Sequence, residues 1–502
     1  MTEPTTDLSG GFPEIGYLEW RSGIEAALKG RDFEQTLRSF DPDGIAYGPL
    51  HARGDDVSPD SGLMSAFRRS LRACLPEAPV AIEIRQAQDH PDPVVANERL
   101  LEDLAQGATA IALRIDPEGR NGIAIRGLGD LDRTLEAVDQ TLAPVHLAAG
   151  RFGPQIAALM MALWDREGVT APRGGFGIDP LGALLSEGRL MTSLSDAMRE
   201  AAEIGAQTAQ RWPDMTALSV SGARFHDMGA TASEELALTL ASALAGLRAM
   251  TGVGLTPDSA ARQIAFSLAV DMDLFMGIAK LRAMRVLWAR VVTACGGALP
   301  KMHLCAESSG RMMTRRAAET NMLRTTAAAM AARLGCADAV TLAPWYRGEE
   351  EPLVRKARRI ARNQPILFDE ESHAGHVLDP AGGSFALESL SVALAEKAWD
   401  IFRRIEAEGG MAEAIAAGSI HLMLKSSAKR LMERAKAGKI PLIGVSVYPD
   451  PEDARHAMDE AKATDRPAGS ETQQAPVAAP DAAMTTAIPV IRLAAPFEES
   501  KA

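Results

Sequence analysis

Short runs of β-forming residues, separated by stretches with helical periodicity, recur in order along the middle of this chain. The runs are Val80–Arg85, Ala110–Ile115, Val145–Ala149, Ala217–Ser221, Met302–Cys305 and Ala339–Leu342. Between them, apolar residues repeat at helical spacing over Pro93–Gln106, Leu131–Gln140, Pro154–Glu167, Leu194–Arg211, Ser233–Thr251, Pro257–Ala294 and Arg316–Leu334. Start signals support several of these, such as Thr256 as N-cap ahead of Pro257 at the first helical position. Parallel strands need long crossovers, so repeated strand–helix alternation predicts a parallel sheet with crossover helices. Over roughly 300 residues, a (β/α)8 TIM barrel fits this pattern better than an open sheet. No G-x-G-x-x-G follows the first run to mark a dinucleotide fold.

The flanks differ in character. The first 75 or so residues predict an extended N-terminal arm with one short helix near Ile24–Leu37. After Asp379, long helices are expected over Leu387–Glu408 and Ala412–Ala437, followed by the apolar segment Ile440–Val447. From about Ala463 the chain turns rich in Pro, Ala, Ser and Thr and reads as a flexible linker, with a short hydrophobic piece at Ile488–Phe497. The expected organisation is therefore an arm over 1–75, a barrel with a C-terminal helical extension over 76–450, and a flexible linker with a truncated tail over 451–502.

Composition narrows the function classes. Lys plus Arg number 53 against 66 for Asp plus Glu, a formal net charge of −13. That balance argues against binding to nucleic acid or an anionic membrane, while leaving room for a local basic pocket that takes a phosphorylated ligand. The four cysteines are widely spaced, as expected of reduced thiols in the cytoplasm. The first twenty residues have no basic segment followed by an apolar run, and no stretch is long enough to span a membrane.

Short catalytic signatures are missing: no H-E-x-x-H, no P-loop and no G-x-S-x-G. Isolated histidines such as His146 and His421 read as packed or solvated, and the acidic run Gly348–Glu351 as a solvated loop. Longer stretches carry more. SVSGARFHDMGATASEELALTL (219–240), KLRAMRVLWARV (280–291), NMLRTTAAAMAARL (321–334), RIARN (359–363), EES (370–372) and DPAGGSFALE (379–388) occur in that order, after DPDGIAYGPL at 41–50. Together they resemble the barrel of adenosylcobalamin-dependent methylmalonyl-CoA mutases, over roughly residues 17–450.

The resemblance implies radical chemistry, in which acyl-CoA threads a barrel and cofactor-derived radicals drive a carbon-skeleton rearrangement to succinyl-CoA. This chain departs from the pattern at the positions such chemistry uses. Cobalamin-binding members carry D-x-H-x-x-G in a C-terminal domain. None of His51, His90, His146, His226, His303, His373, His376, His421 and His456 has Asp two positions earlier. No metal ligand is therefore expected, and the chain ends where that domain would begin. In catalytic relatives a Tyr follows I-R-Q, and S-G-Y-H supplies Tyr and His facing the acyl group. Here Ile84, Arg85 and Gln86 are kept, but the Tyr positions hold Ala87 and Ala223 and the His position holds Arg224. The counterpart of H-C-Q-T-S-G-W runs Cys305, Ala306, Glu307, Ser308, Ser309, Gly310, Arg311.

His226 lies two residues beyond Arg224, and strand alternation would set it on the same face as a partial substitute. Arg85 and Gln86 remain as substrate-binding candidates, with a barrel-end ion pair as the other reading of Arg85. Asn321 and Arg324 are expected to cap or pair inside the fold, and Gly382 and Gly383 to allow a tight turn. Scaffold kept and reactive groups lost resemble the small, non-catalytic subunit of heterodimeric bacterial mutases, as do GFGIDPLGALL (175–185) and the Asp92–Asp103 stretch. The implied partners are a catalytic large subunit that holds adenosylcobalamin, and acyl-CoA within the complex. The alternative is an acyl-CoA mutase barrel that works with a cobalamin domain on a separate chain, with a different acyl group.

Overall fold

The computed structural model describes residues 15–52, 61–298, 302–348, 350–450 and 477–498. Eight parallel strands close into a barrel: β1 Glu83–Gln88, β2 Ala110–Arg114, β3 Val145–Ala148, β4 Gly174–Ile178, β5 Met215–Ser221, β6 Ile264–Val270, β7 His303–Ser308 and β8 Ala339–Thr341. Neighbours follow chain order and β8 pairs with β1, the arrangement of a (β/α)8 barrel.

Two of these strands escape the sequence pattern. GGFGI in β4 has three glycines, which carry no strand signal. β6 lies inside the expected helical stretch Pro257–Ala294. That stretch is in fact a short helix at Pro257–Arg262, the strand, and a helix at Leu274–Ala294. All seven residues of IAFSLAV are buried, and a continuous apolar run reads equally as buried helix or buried strand. The expected helix at Leu131–Gln140 is also shorter, spanning Leu128–Thr134.

Strand register fixes which side chains face the axis. The pairs Arg85↔Ala110, Ala87↔Ala112, Ala112↔His146, Arg114↔Ala148, Ser219↔Ala265, Ser221↔Ser267, Ala265↔His303, Ser267↔Cys305, Ala269↔Glu307 and Thr341↔Arg85 share the inner face. The alternate residues, including Ile84, Ile111, Leu113, Val220, Phe266 and Leu304, are buried against the helices. Phe266, for example, packs on Trp288 with ring centroids 5.0 Å apart. TIM-barrel interiors are ordinarily filled by layers of Val, Ile and Leu. Here the core sits between sheet and helices, and the axis is walled by Ala, Ser, Thr and Cys with a few charged groups.

Seven helices matter below: α1 Pro93–Ala105, α2 Gly222–Asp227, α3 Ala232–Gly252, α4 Leu274–Ala294, α5 Thr320–Leu334, α6 Glu351–Glu370 and α7 Phe385–Ala407. α3 opens with a capping box between Thr231 and Glu234. The C-terminal extension is locked to the barrel through the fully buried Arg282 of α4. Its guanidinium donates to Asp379 Oδ1 and Oδ2 at 2.8 and 3.0 Å, to Ser391 at 2.9 Å and to Glu388 at 3.1 Å. Asp379 has φ 46° and Gly383 has φ +91°, which makes the segment between them the expected tight turn.

Both flanks are more structured than the sequence implies. The arm's one expected helix is two, Tyr17–Ala27 and Phe33–Leu37, because Lys29 and Gly30 take positive φ and Asp32 caps a new start. A further helix at Ser61–Cys74 packs on the barrel, with Arg68 paired to Glu388 at 3.2 Å. In the tail, residues 451–476, most of the expected linker, lie outside the described residues. Residues 477–498 run against the barrel: Ala479 and Ala483 donate to Met191 and Thr192, Thr485 to Gly188 and Ile488 to Leu185, each at 2.8 Å. A flexible tail is the wrong description of this part. Its backbone groups find partners although its side chains are mostly small. No helix among the described residues is long and apolar enough to cross a membrane.

Candidate functional site

The axis has two chemically distinct poles. At the N-terminal ends of the strands, Glu83 (β1), Arg85 (β1), His146 (β3) and His303 (β7) meet. Arg85 Nε donates to Glu83 Oε1 at 2.6 Å, and His146 Nε2 lies 3.0 Å from the same oxygen. Arg85 Nη2 contacts His303 Nε2, and the two imidazoles stack with centroids 5.9 Å apart. Burial opposes ionisation of Glu83, but Arg85 and His146 overcome it and hold the carboxyl below its usual range. Burial, then the Arg85 charge, pushes His146 down to about 4 and lowers His303 as well. Glu83, His146 and His303 present ligand atoms within 4.8 Å of one another, a set able to hold a metal ion. The Arg85 guanidinium already lies against Glu83 and His303 as a cation. Arg85 is thus in the barrel-end ion pair that was one of its two expected readings. His146 and His303 were not recognised as a pair from sequence, because strand register alone brings them together.

At the C-terminal ends, the strand following S-G does not continue. Residues Gly222–Asp227 form α2, with the Ser221 hydroxyl accepting from Arg224 N as N-cap. This corrects the expectation for His226: residues two apart on a helix do not share a face. Arg224 turns toward Ser186 and Asp179, at 3.3 and 3.6 Å, whereas His226 is buried in another direction. His226 Nε2 is 2.9 Å from Ser309 Oγ, and its Nδ1 faces Glu235 Oε2 at 3.2 Å. Ala223 is buried, with no group able to contact a reacting acyl centre. Ala87 faces the axis, half-buried, with nothing beyond Cβ at the family Tyr position. Gln86 pairs in register with Ile111 and faces the helix layer, so the structure removes it from the substrate-binding candidates.

A buried charge network fills this pole. Glu235 accepts from Lys280 Nζ at 2.5 Å and from Ala269 N at 2.7 Å. Arg311, at the position of the family Trp, donates through Nη1 to the carbonyls of His226 and Ala230 at 3.1 and 3.0 Å. Its own N–H contacts Asp227 Oδ1 at 3.2 Å. Burial pushes Asp227 up to about 6 and raises Glu235, while burial, then Arg311 and Lys280, keep His226 well below the usual imidazole range. A neutral imidazole flanked by the cations Arg311 and Lys280, with Nε2 on a hydroxyl, is a poor proton shuttle and a poor place for a further positive centre such as a metal ion. The described residues of this pole therefore do not fit a lower cobalt ligand. The tail closes over the pole: Ile491 N donates to Asp227 O at 2.7 Å, and Leu493 N to Arg311 O at 3.0 Å. Glu498 accepts from the N–H groups of Arg315 and Arg316 at 2.6 and 3.1 Å. Asn321 and Arg324 pair inside the fold as expected, with Asn321 Nδ2 donating to Thr314 O and Arg324 to Asn321 Oδ1.

Comparison with known proteins agrees with this geometry. Residues 78–484 match the sequence profile described as methylmalonyl-CoA mutase. The chain belongs to the methylmalonyl-CoA mutase family. Within that family it is 35% identical over 456 residues to the methylmalonyl-CoA mutase small subunit of Streptomyces virginiae, covering 88% of this chain and 72% of the relative. It is 39% identical over 369 residues to a probable methylmalonyl-CoA mutase small subunit of Mycobacterium bovis, covering 70% of this chain and 57% of the relative. Against the large subunit of the Streptomyces virginiae methylmalonyl-CoA mutase, identity is 29% over 466 residues, covering 88% of this chain and 63% of that subunit.

Proposed function

We propose that this chain is the small, non-catalytic subunit of a methylmalonyl-CoA mutase, paired with a large subunit that binds adenosylcobalamin and interconverts methylmalonyl-CoA and succinyl-CoA in the cytoplasm. The observation that carries the reading is the state of the C-terminal pole. Of the groups at family substrate-facing positions, Ala87 and Ala223 lack chemistry, and Arg224 and Arg311 are committed to internal partners. The polar cluster of Glu83, Arg85, His146 and His303 supports it too, since it stands across the axis at the N-terminal pole. On this reading the chain's contribution is a rigid barrel surface that stabilises the catalytic chain, and no chemical step runs through its own residues.

Co-expression with a family large subunit tests this. The expected result is a stable one-to-one complex whose turnover is unchanged by Arg224→Ala or His226→Gln here, at matched complex concentration. No complex, or turnover that falls with Arg224→Ala while the complex persists, overturns it. One observation favours a second reading, a barrel that uses a cobalamin domain on a separate chain. The axis wall is built of small side chains, Ala87, Ala112, Ala148, Ser219 and Thr341, and Ala148 is exposed within it. Turnover of any acyl-CoA on adding such a domain to this chain alone would decide for it.

A further inference from the structure

We propose that the C-terminal mouth of the barrel carries a binding site for a phosphate-type oxyanion, held between Arg114 and Arg347. The inference is independent of the subunit reading.

Arg114 ends β2 on the row Ala110, Ala112, Arg114 that faces the axis. Its register partner on β3 is Ala148, which is exposed although it lies inside a barrel strand. Space is therefore open beside the Arg114 guanidinium. Arg347 lies in the segment that follows β8, and β8 pairs with β1, which in turn pairs with β2. Strand order thus brings both arginines to one sector of the rim, with Asp89, just past the end of β1, between them. Arg358 of α6 joins the same sector, donating to Ala87 O at 2.9 Å.

The arginines of this sector are unequally partnered. Arg358 and Arg362 both bind Asp103, the latter to Oδ1 at 2.6 Å. Asp89 is the remaining carboxylate, and it interacts with Arg347, Arg114 and Arg358 only through space. Among the described residues, neither Arg114 nor Arg347 has a carboxylate within ion-pair distance. Half-buried Arg347 also lies within electrostatic reach of Arg114, on the same side of the barrel mouth. Guanidinium groups so placed match the fork geometry of phosphate oxygens, and an oxyanion between them relieves the repulsion while making charge-assisted hydrogen bonds. Glu307, also on the inner face, belongs to β7 on the far side of β8, so it flanks this sector without neutralising it. A phosphate monoester or a diphosphate is the ligand class this arrangement takes.

Titration of the full chain with inorganic pyrophosphate, inorganic phosphate and malonate tests the proposal, by calorimetry at low and at raised salt. Pyrophosphate is expected to bind saturably and more weakly as salt rises, with malonate clearly weaker. Arg114→Gln alters an exposed side chain and is expected to weaken pyrophosphate roughly tenfold, with Arg347→Gln at least matching it. Arg199→Gln, on an exposed helix face elsewhere, should leave affinity unchanged. Tighter binding of malonate than of pyrophosphate would overturn the phosphate assignment. No saturable binding below about 10 mM would overturn the site itself, as would wild-type affinity in the folded Arg114→Gln protein.

Discussion

The two poles of the barrel both carry buried charge, but they hold it differently. At the N-terminal pole one carboxylate, Glu83, is shared by a fixed cation and an imidazole, with a second imidazole alongside. Two neutral histidines stand ready to take a proton if the balance changes. At the C-terminal pole, Glu235 depends on Lys280, and Arg311 is bound to backbone carbonyls that cannot titrate. His226 is held neutral there by burial first and then by two neighbouring cations. The first pole can adjust by protonating its histidines, whereas around His226 the cations Lys280 and Arg311 are already engaged with Glu235 and with backbone carbonyls. At the second pole the groups that stand at family substrate-facing positions, Arg224 and Arg311, are turned to partners within the chain.

Breaking the committed pole should cost most. Lys280→Met strips Glu235 of its cation inside a buried site, and a loss of about 3–5 kcal/mol in urea unfolding is expected. Arg85→Met at the other pole should cost less, about 1–3 kcal/mol, because a protonated His146 can then pair with Glu83. The accompanying sign is an NMR titration of His146 moving up from about 4 toward its ordinary value. Equal costs for the two variants would erase the distinction drawn between the poles.

The pH dependence sharpens the same contrast. His146 falls from an ordinary 6.5 to about 4 in the folded protein, so below pH 6.5 the unfolded chain takes a proton that the folded chain refuses. Stability from this residue is present above about pH 6.5, is lost as pH falls toward 4, and levels off below. The full change is of order 3 kcal/mol. Comparison of wild type with His146→Gln across this window isolates it, and parallel stability curves would contradict it. The smallest expected effect lies at the tail. Glu498→Ala frees the Arg315 and Arg316 N–H groups and should cost about 1 kcal/mol, seen as faster hydrogen exchange over residues 477–498.

Much of this architecture is legible in the sequence. Strand–helix alternation pointed to a barrel because parallel strands need crossovers, and it did so with two strands unseen. Those two were hidden for opposite reasons: glycine gives β4 no propensity, and uniform burial gives β6 no alternation. The losses at Ala87, Ala223 and Arg224 were readable as residue identities. Their consequence was not, because the turn of Gly222–Asp227 into a helix sends Arg224 and His226 apart. The N-terminal cluster joins residues 83, 146 and 303, which only closure of the barrel unites. The tail reads as linker because small residues signal no burial, yet its backbone is what binds.

The central claim is that this barrel holds no working radical site. It is tested most directly by incubating the purified chain alone with adenosylcobalamin and methylmalonyl-CoA, following succinyl-CoA and the paramagnetic signal of cobalt–carbon cleavage. No product and no signal are predicted from this chain alone, with both appearing once a large subunit is added. Succinyl-CoA formed by the lone chain at a rate proportional to its concentration would contradict the claim.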